Sequence, residues 1–186
     1  AVLDPFHVVR LNAESLDGCR RRVQQAVHGH RGRTGDPLYA ARRTLHTGQE
    51  LLTDAQHNRL KALFANDDYA DVQATWTIYQ QMIAAYRHPD RACGRKVMAT
   101  LIESLSSGVP TKLIELRRLG RTLKRRAGDI LAYFDRPGTS NGPTEAINGR
   151  LEHLRGSALG FRNLTHYIAR SLLECGGFRT QLHPAL

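Results

Sequence analysis

Apolar residues at helical spacing run through the middle of this chain, which reads as a series of packed helices. In the stretch before residue 135, Leu116, Leu119, Leu123, Ala127, Ile130 and Phe134 form one stripe. Arg117, Arg118, Arg121, Lys124 and Arg125 lie on the other side. A stripe of period 3.6 opposite a charged face reads as an amphipathic helix with one side in a core. The spacing predicts one continuous helix to about Phe134, starting after the break at Ser106-Ser107-Gly108-Val109-Pro110. Upstream, a helix carries Val97, Leu101, Ile102 and Leu105, and His88-Pro89-Asp90 separates it from its predecessor. That earlier helix opens at Asp67-Asp68 and carries Val72, Trp76, Tyr79, Met82, Ile83 and Tyr86. Thr53 or Asp54 caps another with Leu60, Leu63 and Phe64, and Leu38 to Leu45 reads as a short one. Capping accounts for Asp54, Asp67, Asp68 and Asp90 without chemistry. The spacing of Trp76 and its neighbours favours core packing over base stacking.

Residues from Asn12 to His28 read as a further helix, with Leu16, Cys19, Val23 and Val27 inward and Arg20, Arg21 and Arg22 spread across solvent. Gly29 to Pro37 is turn-rich and contains Arg31 and Arg33, which reads as a basic loop. The apolar run Ala1-Val2-Leu3 leads into Asp4-Pro5-Phe6-His7-Val8-Val9, and reads as the end of a buried strand that begins upstream. Asp4 is then either a turn residue before Pro or an acid at the carboxyl edge of a sheet, where α/β sites gather.

The chain has 186 residues, with 27 Lys+Arg against 17 Asp+Glu, a formal net charge of +10. That balance favours a polyanionic partner, of which nucleic acid is the commonest. Most of the cations are Arg, whose planar fork suits phosphate. Cys19, Cys93 and Cys175 are odd in number and widely spaced, which argues against a disulfide framework or zinc site and fits a cytoplasmic protein. With no signal peptide and no apolar run near ~18 residues, secretion and membrane spanning are disfavoured.

The richest stretch is Tyr133 to Phe178. Arg136-Pro137-Gly138 is turn chemistry, Thr139, Ser140 and Asn141 are candidate caps, and Gly142-Pro143 suits a first helical turn. Ile147, Leu151, Leu154 and Ala158 then mark an apolar helical face, with Glu145 in the first turn, where the helix dipole favours a carboxylate. After Ser157 to Asn163, a glycine-containing turn, Leu164 to Leu173 closes the chain as an amphipathic helix, with Gly176-Gly177 as its end. The order S-N-G-P-T-E-A-I-N-G-R-L-E followed by G-F-R-N-L closely resembles the end of the catalytic domain in DDE transposases of bacterial insertion sequences, in the ISL group. Asn141, Gly142, Glu145, Asn148, Gly160, Phe161, Arg162 and Asn163 carry the match. The opening D-P-F-H-V-V-R is similar to the segment around the family's second catalytic acid.

The resemblance implies an α-rich α/β fold, the C-terminal portion of an RNase H-like catalytic core with a mostly helical insertion and its N-terminal strands missing. Residues 1–30 would hold the second-acid strand end and a core helix, and 31–110 the insertion. Residues 111–186 would hold a basic helix, the catalytic-Glu helix and a C-terminal core helix. It further implies that Asp4 and Glu145 are the second and third metal-binding acids, with His7, Asn141 and Asn148 in support. The family's Mg²⁺ pair, with Mn²⁺ possible, activates water and then a 3′-OH against phosphodiesters, a role that two metals serve at a separation of ~3.5–4 Å. The first acid would lie upstream, so the chain is expected to be inactive and poorly stable alone. Arg117, Arg121, Lys124, Arg125, Arg150, Arg155 and Arg162 are the expected contacts to insertion-sequence ends and target DNA, the complete enzyme acting as a homo-oligomer. A non-catalytic DNA-binding remnant and a helical protein-interaction module are the alternatives.

Overall fold

A computed structural model describes residues 2–136 and 142–175, the side chains of 142–146 and 175 excepted. The expectations that Thr139, Ser140 and Asn141 cap a helix and that Gly176-Gly177 ends one lie outside the described residues. The chain divides into two compact units, Ala1–Thr139 and Ser140–Leu186.

Every regular element among the described residues is helical. The expected α/β, RNase H-like architecture is therefore corrected: these residues form no strand or sheet. The reason is visible at the first residues. Asp4, in extended conformation, caps α1 (Pro5–His28) by accepting the Phe6 N–H at 2.8 Å, and Pro5 fills the first helical position. Pro tolerates that position because its missing N–H would lack a helical partner anyway. Val8 and Val9, expected near a strand end, lie inside this helix. The Leu3 N–H donates to the Asp129 carbonyl at 3.0 Å, a helix residue, in place of a ladder partner.

The first unit continues with α2 (Pro37–Ala40), two short 3₁₀ turns, α3 (Asp54–Phe64), a third such turn at Asp67–Tyr69, α4 (Ala70–Arg87), α5 (Arg91–Ser107), α6 (Ile114–Arg125) and α7 (Ala127–Asp135). Thr53 and Gln56 form a reciprocal capping box at α3, and Asp90 accepts from the Ala92 and Cys93 N–H groups at α5. Helix α1 packs on α4 and α6, and α5 on α4, α6 and α7. One buried cluster includes Met82, Met98, Leu101, Leu119, Leu123, Ile130 and Phe134. A second includes Leu16, Cys19, Leu38, Leu45, Leu60 and Tyr79. Helices α5 and α6 approach to backbone contact at Gly120, where a Cβ would stand 2.1 Å from the Leu105 carbonyl oxygen.

The single helix expected to reach Phe134 is two. Helical geometry is interrupted at Arg126, whose N–H is shared between the Thr122 and Leu123 carbonyls at 3.2 and 3.1 Å. The apolar stripe survives the break, because Leu116, Leu119, Leu123, Ile130 and Phe134 are all buried.

In the second unit α8 (Gly142–Ser157) and α9 (Leu164–Cys175) flank a tight turn. The Gly160 N–H reaches the Arg155 carbonyl and the Leu159 N–H the Gly156 carbonyl, the paired bonds of a Schellman ending. Asn163 then caps α9 through the Thr165 N–H at 2.8 Å.

Candidate nucleic-acid interface

The face of the molecule best suited to a polyanion is built on α6. Leu116, Leu119, Gly120 and Leu123 are buried, which fixes the rotation of the helix and turns Arg117, Arg118, Arg121, Lys124 and Arg125 outward. Arg117, Arg121 and Arg125 recur every four residues and so form one row. None of the three makes an ion pair among the described residues. Lys124 differs, because its ammonium holds the Glu103 carboxylate at 2.6 Å. That contact keeps the Glu103 pKa below the usual carboxylate range.

Two arginines of the α1 triplet are used otherwise: Arg21 is exposed as expected, whereas the expectation of solvent is corrected for Arg20 and Arg22. Arg20 is buried and paired to Asp17 at 2.8 Å, and Arg21 pairs with the same carboxylate. Arg22 spans two partners. Its Nε and Nη2 donate to the Glu115 carboxylate at 2.9 and 3.1 Å, and Nη2 also reaches Asp71 at 3.2 Å. Lys112 closes on the other Asp71 oxygen at 3.0 Å. Hydrogen bonding to Glu115 raises the Arg22 pKa further, so the guanidinium stays charged. This four-charge junction ties α1, α4 and α6 together. It had no signature in the sequence, since its partners lie 49 and 93 residues from Arg22.

The residues carried over from the family resemblance fall in both units. Asp4 is buried at 7% exposure, with one carboxylate oxygen on the Phe6 N–H. His7 is exposed, edge-on to the Phe6 ring with centroids 5.7 Å apart. Glu145 lies in the first turn of α8, but its side chain is outside the described residues, as is all of Asn141. Asn148, Arg150, Arg155 and Arg162 are exposed in the second unit, with Arg155 within 4.0 Å of Glu152.

A pair of divalent ions needs several acidic oxygens converging on one place. Among the described residues no group of three or more His, Cys, Asp or Glu side chains gathers in that way. Asp4 caps a helix through one carboxylate oxygen, and the Glu145 side chain lies outside the described residues. Among the same residues no helix is long and apolar enough to cross a membrane.

Comparison with known proteins identifies a family. A family model described as transposase, of the DDE type and ISL group, matches residues 1–171. No curated protein and no solved structure matches the chain.

Proposed function

The chain belongs to the ISL-group family of DDE transposases, and from that premise we propose that its helical body holds DNA against the outer face of α6. The row Arg117, Arg121 and Arg125 carries this reading: three exposed guanidiniums on a helix locked by its buried face, with no carboxylate among the described residues paired to them. Phosphate oxygens are their natural partners, since Arg binds them through two N–H groups at once. Lys124 contributes less, being shared with Glu103. Arg150, Arg155 and Arg162 add a second set of backbone contacts from the other unit.

For the family's reaction we propose metal-dependent phosphodiester hydrolysis and strand transfer, with Mg²⁺ or Mn²⁺, a homo-oligomeric assembly on paired element ends, and Asp4 and Glu145 among the acids. The described residues, which exclude the Glu145 side chain, do not assemble that centre, and the reading for this polypeptide rests on DNA binding. No catalytic step is assigned to it.

The test is binding of a fluorescent DNA duplex by the full chain over a range of salt. Phosphate contacts from the α6 row together with those from Arg150, Arg155 and Arg162 predict a plot of log affinity against log salt with a slope of about −3 or steeper. Asp4→Asn, which retains a capping side chain, and Glu145→Gln are expected to bind as the parent does. A slope near zero, or no binding at low salt, would refute the reading.

A further inference from the structure

Beside α6 lies a cleft of about 290 Å³ that the basic row does not by itself explain. Its floor is Leu105 and Val109, and its walls are Ser106 and Ser107 from the last turn of α5 and Arg117 and Arg121 from α6. Resting on the DNA-binding reading above, we propose that this cleft seats one phosphodiester of a DNA backbone, gripped by both arginines together and fixed by the two serines.

Three observations converge on it. First, Arg117 and Arg121 stand one helical turn apart and line the same cavity, so both border one space for an anion. Second, the neighbouring negative charge is already cancelled. Glu103 is one turn before Ser106 and Ser107, and Lys124 holds its carboxylate at 2.6 Å. Among the described residues neither cleft arginine makes an ion pair. Third, both serine hydroxyls donate to the Glu103 backbone carbonyl, at 2.8 and 3.1 Å, the ordinary back-bond of a helical serine. Rotation about one bond turns either O–H toward an anion in the cleft, and hydroxyl hydrogen bonds to charged oxygens are roughly twice as strong as neutral ones.

The seat differs from a diffuse basic face in how its arginines add. On a diffuse face each guanidinium neutralises its own phosphate, and losses of salt slope sum. In a shared seat either arginine is needed for the same phosphate.

Duplex binding by the full chain across salt concentrations is therefore measured for Arg117→Gln, Arg121→Gln, the double variant and Arg125→Gln, with helicity checked by circular dichroism. The seat predicts that the slope becomes shallower by about 0.9 for each cleft single and by no more for the double. Arg125, outside the cleft, adds its own loss on top. Ser106→Ala with Ser107→Ala is expected to weaken binding three- to tenfold at unchanged slope, because no charge is removed. Fully additive slopes, or a serine pair without effect, would overturn the seat while leaving DNA binding intact. Absence of binding by the parent chain would remove the reading on which the seat rests.

Discussion

The two units of this protein carry opposite kinds of information. The first buries two apolar clusters and holds its helices with caps and a four-charge junction, yet little in its sequence announces chemistry. The second carries most of the transposase motif, yet none of its described residues is buried. Leu164, Ile168 and Leu172, at helical spacing on α9, are all at least half exposed. Residues that identify a family need not be those that hold a fold together. Motif positions answer to the reaction, whereas the body answers to burial, worth ~25 cal/mol per Å² of apolar surface.

Substitutions can break or sharpen this contrast. The largest effect is expected at Gly120, where an Ala methyl would collide with the Leu105 backbone. A clash with backbone cannot relax by turning a side chain, so Gly120→Ala should cost the body about 3 kcal/mol or more, read by chemical denaturation. A smaller effect of opposite sign is expected in the second unit. Leu159 ends α8 in the left-handed region at φ 52° while 97% exposed, so it has strain and no packing to lose. Leu159→Gly should stabilise the α8 ending by about 1 kcal/mol, seen as slower amide exchange at Gly160. If Gly120→Ala is neutral and Leu159→Gly harmful, the division of labour between the units is wrong.

The smallest effect concerns Glu103 and Lys124. The folded carboxylate titrates below its ordinary value because of Lys124. The sign follows: the pair's contribution is complete above the unfolded carboxylate range and is lost as pH falls through the lowered folded value. The pair is fully solvated, so melting should not resolve it. Side-chain NMR titration should, with Lys124→Gln returning Glu103 toward its ordinary range and an unmoved titration contradicting the contact.

Much of the helical layout was legible. Thr53 before α3, Asp90 before α5 and the basic face of α6 followed from capping residues and period-3.6 spacing. Three features did not. Asp4-Pro5 followed by Val8-Val9 suits both an extended segment and a helix start, and so short an apolar run cannot decide between them. The apolar run Ala1-Val2-Leu3 suggested a strand end, whereas the local cap gave a helix. The break at Arg126 left the apolar stripe in register, so the pattern on either side hid it. The burial of Arg20 and the pairing of Arg22 depend on partners far along the chain. As for the site, the acids were legible only through resemblance to a family, and the α6 row through spacing alone.

The central claim is that DNA is held chiefly by the helical body and not by the motif-bearing helices. The direct measurement compares duplex affinity at fixed moderate salt for two triple variants of the full chain. One is Arg117→Gln, Arg121→Gln, Arg125→Gln; the other is Arg150→Gln, Arg155→Gln, Arg162→Gln. The account predicts at least a tenfold loss, about 1.4 kcal/mol, for the first and a clearly smaller one for the second. Equal or reversed losses would contradict it, and would move the DNA-binding surface to α8 and the turn before α9.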